Sequence, residues 1–186
     1  RSQSSARAGV EPLRTPVVDW PVRVGLTGAF LDHGIDSGFV GGAGPHAITV
    51  LFRIIATLHD SEGNVTVQGL KSGQASDLDY SEERLRAESG LLDGVSVIGS
   101  GSLLTRMWNK PSITTIGINA PSVETASNTL VPTASAKVSM RIAPDEDPRE
   151  AYALLTTHLH QHVAWGARLE VTLDDEGPGF AADADG

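Results

Sequence analysis

Apolar and polar residues alternate along three stretches of the chain with the period of two that half-buried strands show. These stretches are 18–26, 134–142 and 169–173. A fourth strand is predicted over 112–119, because this Ile- and Thr-rich segment lies between two prolines. Residues 65–67 predict a further short strand. Pro21 cannot donate to a strand ladder, so we expect the start of the first strand at a sheet edge or a bulge.

Two other segments place apolar residues at helical spacing. The first spans 47–58 and follows a glycine-rich turn and Pro45, which suits the first helical position. The second begins at Asp147 and Pro148, an N-cap followed by a helix-initiating proline, and Gly166 is its expected stop. Between these helices, residues 71–110 are acidic and loosely patterned, and they are interpreted as an insertion.

The predicted order is strand, helix, strand, strand, helix, strand. This order is typical of an α+β, ferredoxin-like βαββαβ fold, with a four-stranded antiparallel sheet and two helices on one face. The predicted domain spans 17–174 with its insertion at about 71–110. Residues 1–16 are expected to be a linker or a remnant of a flanking region, and 175–186 an acidic tail or linker. The open sheet face should carry polar side chains, namely Lys137, Ser139, Arg141, Arg168, Glu170 and Thr172.

Charge and composition exclude several classes of function. The formal net charge is −9, whereas nucleic-acid binding needs clustered Lys and Arg. The chain has no Cys, which excludes disulfides, a thiol nucleophile and Cys-ligated zinc. No apolar run approaches the length of a bilayer span, and no signal segment opens the chain, so we expect a cytoplasmic protein without a membrane partner. Because the chain begins at Arg1 instead of Met, it is expected to be a processed product or an excised piece.

Few residues suggest chemistry by their pattern alone. His158 and His162 would share a helix face, as zinc ligands can, but His160 points away, so solvated histidines are the favoured interpretation. The turn at 41–45 could present backbone N–H groups to an anion, although a simple tight turn is the commoner use of such glycines. Arg141 lies on the predicted polar sheet face and could equally be an ordinary surface arginine.

Two stretches carry a specific resemblance. The first is Asp36-Ser-Gly-Phe-Val-Gly-Gly-Ala-Gly-Pro45, followed by the turn at 58–63. The second runs from Asn128-Thr-Leu-Val-Pro132 through the strand to Pro144 and on to Asp147-Pro148. Together they resemble the dimerisation, or lid, domain of the zinc-dependent aminoacylase/carnosinase-type metallopeptidases, which hydrolyse dipeptides, acyl-amino acids and related amides. The resemblance covers about 17–173.

The resemblance implies that the metal-binding residues belong to a different domain from the lid. In that family the lid is inserted into a catalytic domain that holds two zinc ions through His, Asp and Glu ligands. Those ligand motifs do not occur in this chain, so we expect the fragment alone to bind no metal and to be inactive. Zinc would belong to the full-length hydrolase, which would act as a homodimer on small peptide or acyl-amino-acid substrates.

Three residues of the chain match positions of the family site. The resemblance implies that Thr129 and Arg141 bind the carboxylate end of the substrate. Asp36 stands where relatives carry a His that reaches into the partner's active site and stabilises an oxyanion. A carboxylate cannot donate a hydrogen bond at neutral pH, so that role is not transferred to Asp36. The alternative from another class of function is a free-standing ferredoxin-like module that binds a ligand or a protein without catalysis.

Overall fold

The structure, a computed structural model, describes residues 19–26, 31–74 and 80–173. Six strands and four α-helices occur in these ranges: β1 (Asp19–Leu26), β2 (Ile35–Asp36), α1 (Ser37–Val40), α2 (Ala47–Ala56), α3 (Glu82–Ser89), β3 (Ser112–Asn119), β4 (Thr129–Leu130), β5 (Ala134–Arg141), α4 (Pro148–Gln161) and β6 (Glu170–Leu173). A π-helical turn spans Thr105–Asn109, and a 3₁₀ turn spans Val123–Thr125. The α+β class is confirmed. The predicted linker at 1–16 and tail at 175–186 lie outside the described residues.

The larger sheet is antiparallel and has the order β3-β5-β1-β6. Strand β1 is central, but its first residues pair with β5 alone, so the expectation that the start of this strand lies at a sheet edge is confirmed. Strand β6 pairs with β1 only from Val22 to Gly25, so Pro21 lies beyond that pairing and the missing N–H breaks no ladder there.

Strand β5 shows the alternation that its sequence predicts. Its residues alternate strictly between buried and half-buried side chains. The buried set faces one core together with the apolar stripes of α2 and α4. The members of that core with no exposed surface are Val50, Leu51, Ile54, Leu58, Val138, Ala151, Leu155 and Leu159. Burial of these aliphatic side chains is the main force that holds both helices to the sheet.

The helix ends differ in part from their predictions. Helix α4 begins as predicted, because the Asp147 carboxylate accepts hydrogen bonds from the N–H groups of Arg149 and Glu150. It ends at Gln161, several residues before Gly166. Helix α2 begins at Ala47 with His46 as its N-cap, so Pro45 precedes the cap and does not occupy the first helical position.

Two predictions were wrong, one for a short strand and one for a residue of the polar sheet face. Residues 65–67 form no strand, because Val65 makes a single antiparallel bridge to His59 across a tight turn. Arg168 precedes β6, so it is not part of the polar sheet face. None of the described helices is both long and apolar enough to cross a membrane.

Candidate functional site

Asp36 and Thr129 lie side by side in the smaller sheet. Strand β2 pairs with β4 in antiparallel fashion, with Asp36 opposite Thr129 and Ile35 opposite Leu130. Leu130 is buried, while Asp36 and Thr129 are exposed. The two residues that the resemblance singled out in separate motifs therefore form one exposed unit.

Asp36 has a structural role that the family comparison did not suggest. Its Oδ1 accepts a hydrogen bond of 2.8 Å from the Gly38 N–H and thereby caps α1. The following amide, that of Ser37, donates to the Asn128 carbonyl at 2.7 Å. An Asp before a helix start is a common N-cap, so this signal was available in the Asp-Ser-Gly sequence. The carboxylate accepts hydrogen bonds and cannot act as an oxyanion donor.

Gly34 permits the close approach of Thr129. A Cβ added at Gly34 would lie 2.8 Å from the Thr129 Cγ2 atom, well inside van der Waals contact. The Thr129 hydroxyl accepts a hydrogen bond of 3.0 Å from the Ser127 hydroxyl. The position and orientation of Thr129 therefore depend on two residues that lie just before the two motifs, Gly34 and Ser127.

Arg141 lies at the far end of β5. Its Cα partners are Ser112 on β3 and Asp19 on β1, so the residue is flanked by strands on both sides. Thr129 precedes the other end of the same strand. The eight residues of β5 span roughly 25 Å, so the strand carries Arg141 away from the end that Thr129 precedes.

Arg141 borders a cleft of about 570 Å³, which we call the Arg141 cleft. Its lining includes Arg141, the start of β3 and residues of the segment 85–107. The apolar side chains that this segment contributes are Leu85, Leu91, Val95, Val97, Ile98, Leu103 and Met107. Arg106 and Lys110 also line it, and the residues described along its lining include no Asp or Glu. The segment interpreted as an insertion therefore forms part of a binding-sized cavity.

A buried glutamate holds the beginning of this segment near the same end of β5. Glu146 is buried, and its Oε2 atom accepts a hydrogen bond from the Lys71 backbone N–H. The Lys71 ammonium donates to the Asp145 carbonyl at 2.8 Å. The sequence analysis missed Glu146, because a Glu between aspartates and prolines is typical of a solvated turn. The partner lies 75 positions away, so no local pattern could have identified it.

The histidines of α4 are not all solvated. His158 is only 7% exposed, and its Nε2 lies 3.1 Å from both the carbonyl and the hydroxyl oxygen of Thr57. Its ring stacks on that of His162 at 4.1 Å, and His162 Nδ1 lies 2.7 Å from the His158 carbonyl oxygen. Burial, and then the nearby His162, lower the pKa of His158. The expectation of a solvated side chain was therefore wrong for His158, because α4 packs that face against the end of α2.

Backbone N–H groups of the glycine-rich turn before α2 donate to carbonyl oxygens close by in the chain. Gly41 donates to the Ser37 carbonyl, and Ala43 and Gly44 both donate to the Val40 carbonyl. These N–H groups are therefore not available to an anion, which favours the tight-turn interpretation. Within the part of the chain that the structure describes, no group of three or more His, Asp or Glu residues could hold a metal ion.

Comparison with known proteins identifies the class. The family model described as "Peptidase dimerisation domain" matches residues 25–167, most of the chain. The chain therefore belongs to the peptidase dimerisation domain family.

Several of the similar proteins are dipeptidases. The chain is 31% identical over 159 residues to a cysteinylglycine-S-conjugate dipeptidase of Corynebacterium striatum, which covers 84% of this chain and 35% of that protein. Among solved structures, the di-peptidase Dug1p of Saccharomyces cerevisiae matches with a TM-score of 0.67 and 20% identity, over 86% of this chain and 37% of that one. Human carnosine dipeptidase 1 matches with a TM-score of 0.69 and 18% identity, over 84% and 36%. The chain thus spans about a third of the length of these relatives.

Proposed function

We propose that this chain is the dimerisation and substrate-capping domain of a zinc-dependent dipeptidase that acts on small peptides or acyl-amino acids. The arrangement of its elements is proposed to be the ferredoxin-like βαββαβ fold of such lids. Family membership and the dipeptidase relatives support the proposal. The described residues contain no ligand set for a metal ion, so zinc would be held by residues outside the described part of this chain. A cytoplasmic location is part of the same proposal.

The observation that carries the proposal is the separation of Thr129 from Arg141. A dipeptide is far shorter than β5, so these two residues of one chain would not hold the same substrate. A two-fold dimer removes the difficulty, because each active site can take Arg141 from one protomer and Thr129 from the other. The exposed Phe39, next to the Asp36–Thr129 unit and 85% exposed, is suited to contact with the partner or with the catalytic domain.

Arg141 would bind the carboxylate end of the substrate. The planar guanidinium offers two parallel N–H donors to a carboxylate, a stronger and more directional pairing than a single ammonium provides. The Thr129 hydroxyl can donate one further hydrogen bond from the partner. Asp36 would hold α1 in place as its N-cap, and it would not stabilise an oxyanion.

The dimer would form through the edge strand β3. Of the two edges of the described sheet, β3 has eight residues and β6 has four. Strand β3 also exposes Ile116 and Ile118 to about half of their surface, and an exposed edge with apolar side chains is a template for pairing. A second copy meeting this edge across a two-fold axis would extend the sheet and cover both isoleucines.

Complementation between inactive variants of the full-length enzyme tests the proposal. We expect Thr129→Ala and Arg141→Ala homodimers to be impaired. Mixed dimers should regain one intact site, because each protomer supplies the residue that the other lacks. Random re-association should therefore restore about a quarter of the wild-type activity. No recovery in verified mixed dimers would show that the two residues do not act across the dimer, and the proposal in this form would be wrong.

A further inference from the structure

The Arg141 cleft combines a cationic rim with an apolar wall. Arg106 donates to the carbonyl oxygens of Gly101 at 2.8 Å and Ile98 at 3.1 Å. Lys110 donates to the Ser100 carbonyl oxygen at 2.7 Å. These partners are neutral, so they orient the two cations without cancelling their charge. In a chain whose net charge is −9, the cleft is a local concentration of positive charge and is suited to an anion.

The apolar wall of the cleft, formed by residues of the segment 85–107, is suited to an aliphatic or aromatic side chain. Leu103 and Met107 come from the segment that leads into β3, and Val97 comes from the loop after α3. All three side chains are half-buried, so they still present surface that a ligand could cover. The volume of about 570 Å³ is in the range of small-molecule sites, which pair an apolar lining with a few polar groups.

A carboxylate bonded to the carbon that carries an apolar side chain satisfies both features. The carboxyl-terminal residue of a peptide has this chemistry. We infer that the Arg141 cleft makes the enzyme selective for peptides whose carboxyl-terminal residue is large and apolar, with the wall at 85–107 holding the side chain. This inference rests on the proposed function for the role of Arg141, and it adds the substrate preference and the segment that sets it.

Binding of matched peptides to the 186-residue chain tests the inference. Glycyl-leucine and glycylglycine share the carboxylate and differ in the side chain, while glycyl-leucinamide keeps the side chain and lacks the carboxylate. Titrations followed by nuclear magnetic resonance measure the weak affinities expected of a single domain. Burial of a leucine side chain should make glycyl-leucine bind about 10–150-fold more tightly than glycylglycine. Glycyl-leucinamide should bind more weakly than glycyl-leucine.

Val97→Phe is the matched variant, since it fills the cleft. It should reduce the preference for leucine over glycine to less than about threefold. Val123→Phe makes the same change at a position that is 90% exposed and outside the cleft, and it should leave the preference intact. If Val97→Phe does not fold, the ratio of the affinities of the unaltered chain for glycyl-leucine and glycylglycine still tests the preference.

The outcomes separate this inference from the proposed function. Equal affinities for glycyl-leucine and glycylglycine, both lost in Arg141→Ala, would overturn the side-chain preference and leave the carboxylate role of Arg141 standing. A leucine preference with full affinity in Arg141→Ala would overturn the carboxylate role instead, and with it the selectivity in the form inferred here. Failure of the chain to bind either dipeptide would overturn the inference, while the complementation experiment would still judge the proposed function.

Discussion

Asp36 and Thr129 are directly opposite each other in the β2–β4 sheet although 92 other residues separate them in sequence. Asp36 caps α1 through the Gly38 N–H, and Thr129 packs against Gly34. A change at either residue therefore alters the same exposed unit, and effects on stability must be separated from effects on activity.

Replacement of Asp36 tests its two roles. Asp36→His removes the N-cap of α1, so it should lower the free energy of unfolding by about 0.5–2 kcal/mol. Asp36→Asn keeps a good cap and should change that free energy much less. In the full-length enzyme, Asp36→His should nevertheless raise turnover, because the resemblance implies that this position lies near the developing oxyanion, where a hydrogen-bond donor would replace a carboxylate. Urea unfolding and steady-state kinetics measure the two effects. Unchanged turnover would contradict a catalytic role for this position.

Gly34 should tolerate a larger residue only when Thr129 becomes smaller. Gly34→Ala places its Cβ against Thr129 Cγ2 and should cost about 1–3 kcal/mol of stability. Thr129→Ser removes that methyl group, so the double variant should recover most of the loss. Thermal or urea unfolding of the four proteins of this cycle measures the coupling. Additive losses would contradict the contact.

Arg141 should be important for catalysis in the full-length enzyme. Arg141→Ala removes a charge-assisted hydrogen bond of about 1.5–3 kcal/mol, which corresponds to roughly a 10–150-fold loss of kcat/KM. Arg141→Lys should recover little, since it lacks the planar fork. If Arg141→Ala has no effect on kcat/KM and Asp36→His does not raise turnover, the domain serves dimerisation alone.

His158 should make the stability of the domain sensitive to acid. Its pKa is lowered in the folded chain by burial and by His162, so the unfolded chain binds the proton more readily. The stabilising contribution is complete above the unfolded pKa of about 6.5 and is lost as the pH falls through the folded value. Unfolding free energies between pH 7.5 and 5 should therefore fall less in His158→Asn than in the wild type. His160→Asn, on the same helix but exposed, should retain the wild-type slope.

The two sheet edges should respond differently to charge. Ile118→Lys on β3 should weaken self-association, because a lysine at a two-fold edge pairing opposes the approach of a second copy. Leu173→Lys makes a similar change on the exposed edge strand β6 and should leave the dimer intact. Sedimentation velocity at micromolar concentrations measures both. If Leu173→Lys were monomeric and Ile118→Lys dimeric, the interface would lie at β6, and its assignment to β3 would be wrong.

Local patterns in the sequence were sufficient for the main elements. The alternation over 134–141 predicted the buried face of β5, since side chains of a strand point to opposite sides in turn. Asp147 and Pro148 predicted the start of α4 because a cap depends on residues within one turn. The apolar stripe of α2 was equally local, and only its ends were misplaced. The resemblance, carried by two separated motifs, led to the family that the comparisons confirm.

Tertiary structure decided what depends on distant residues. The sequence by itself did not reveal that Thr129 lies opposite Asp36, that Glu146 holds Lys71, or that His158 is buried against Thr57. It also did not show that residues 85–107 wall a cleft beside Arg141. Hydrophobic periodicity reports which face of an element is buried, because that depends on neighbours three or four positions away. Which elements meet is set by packing across the whole chain, and that information is absent from any short segment.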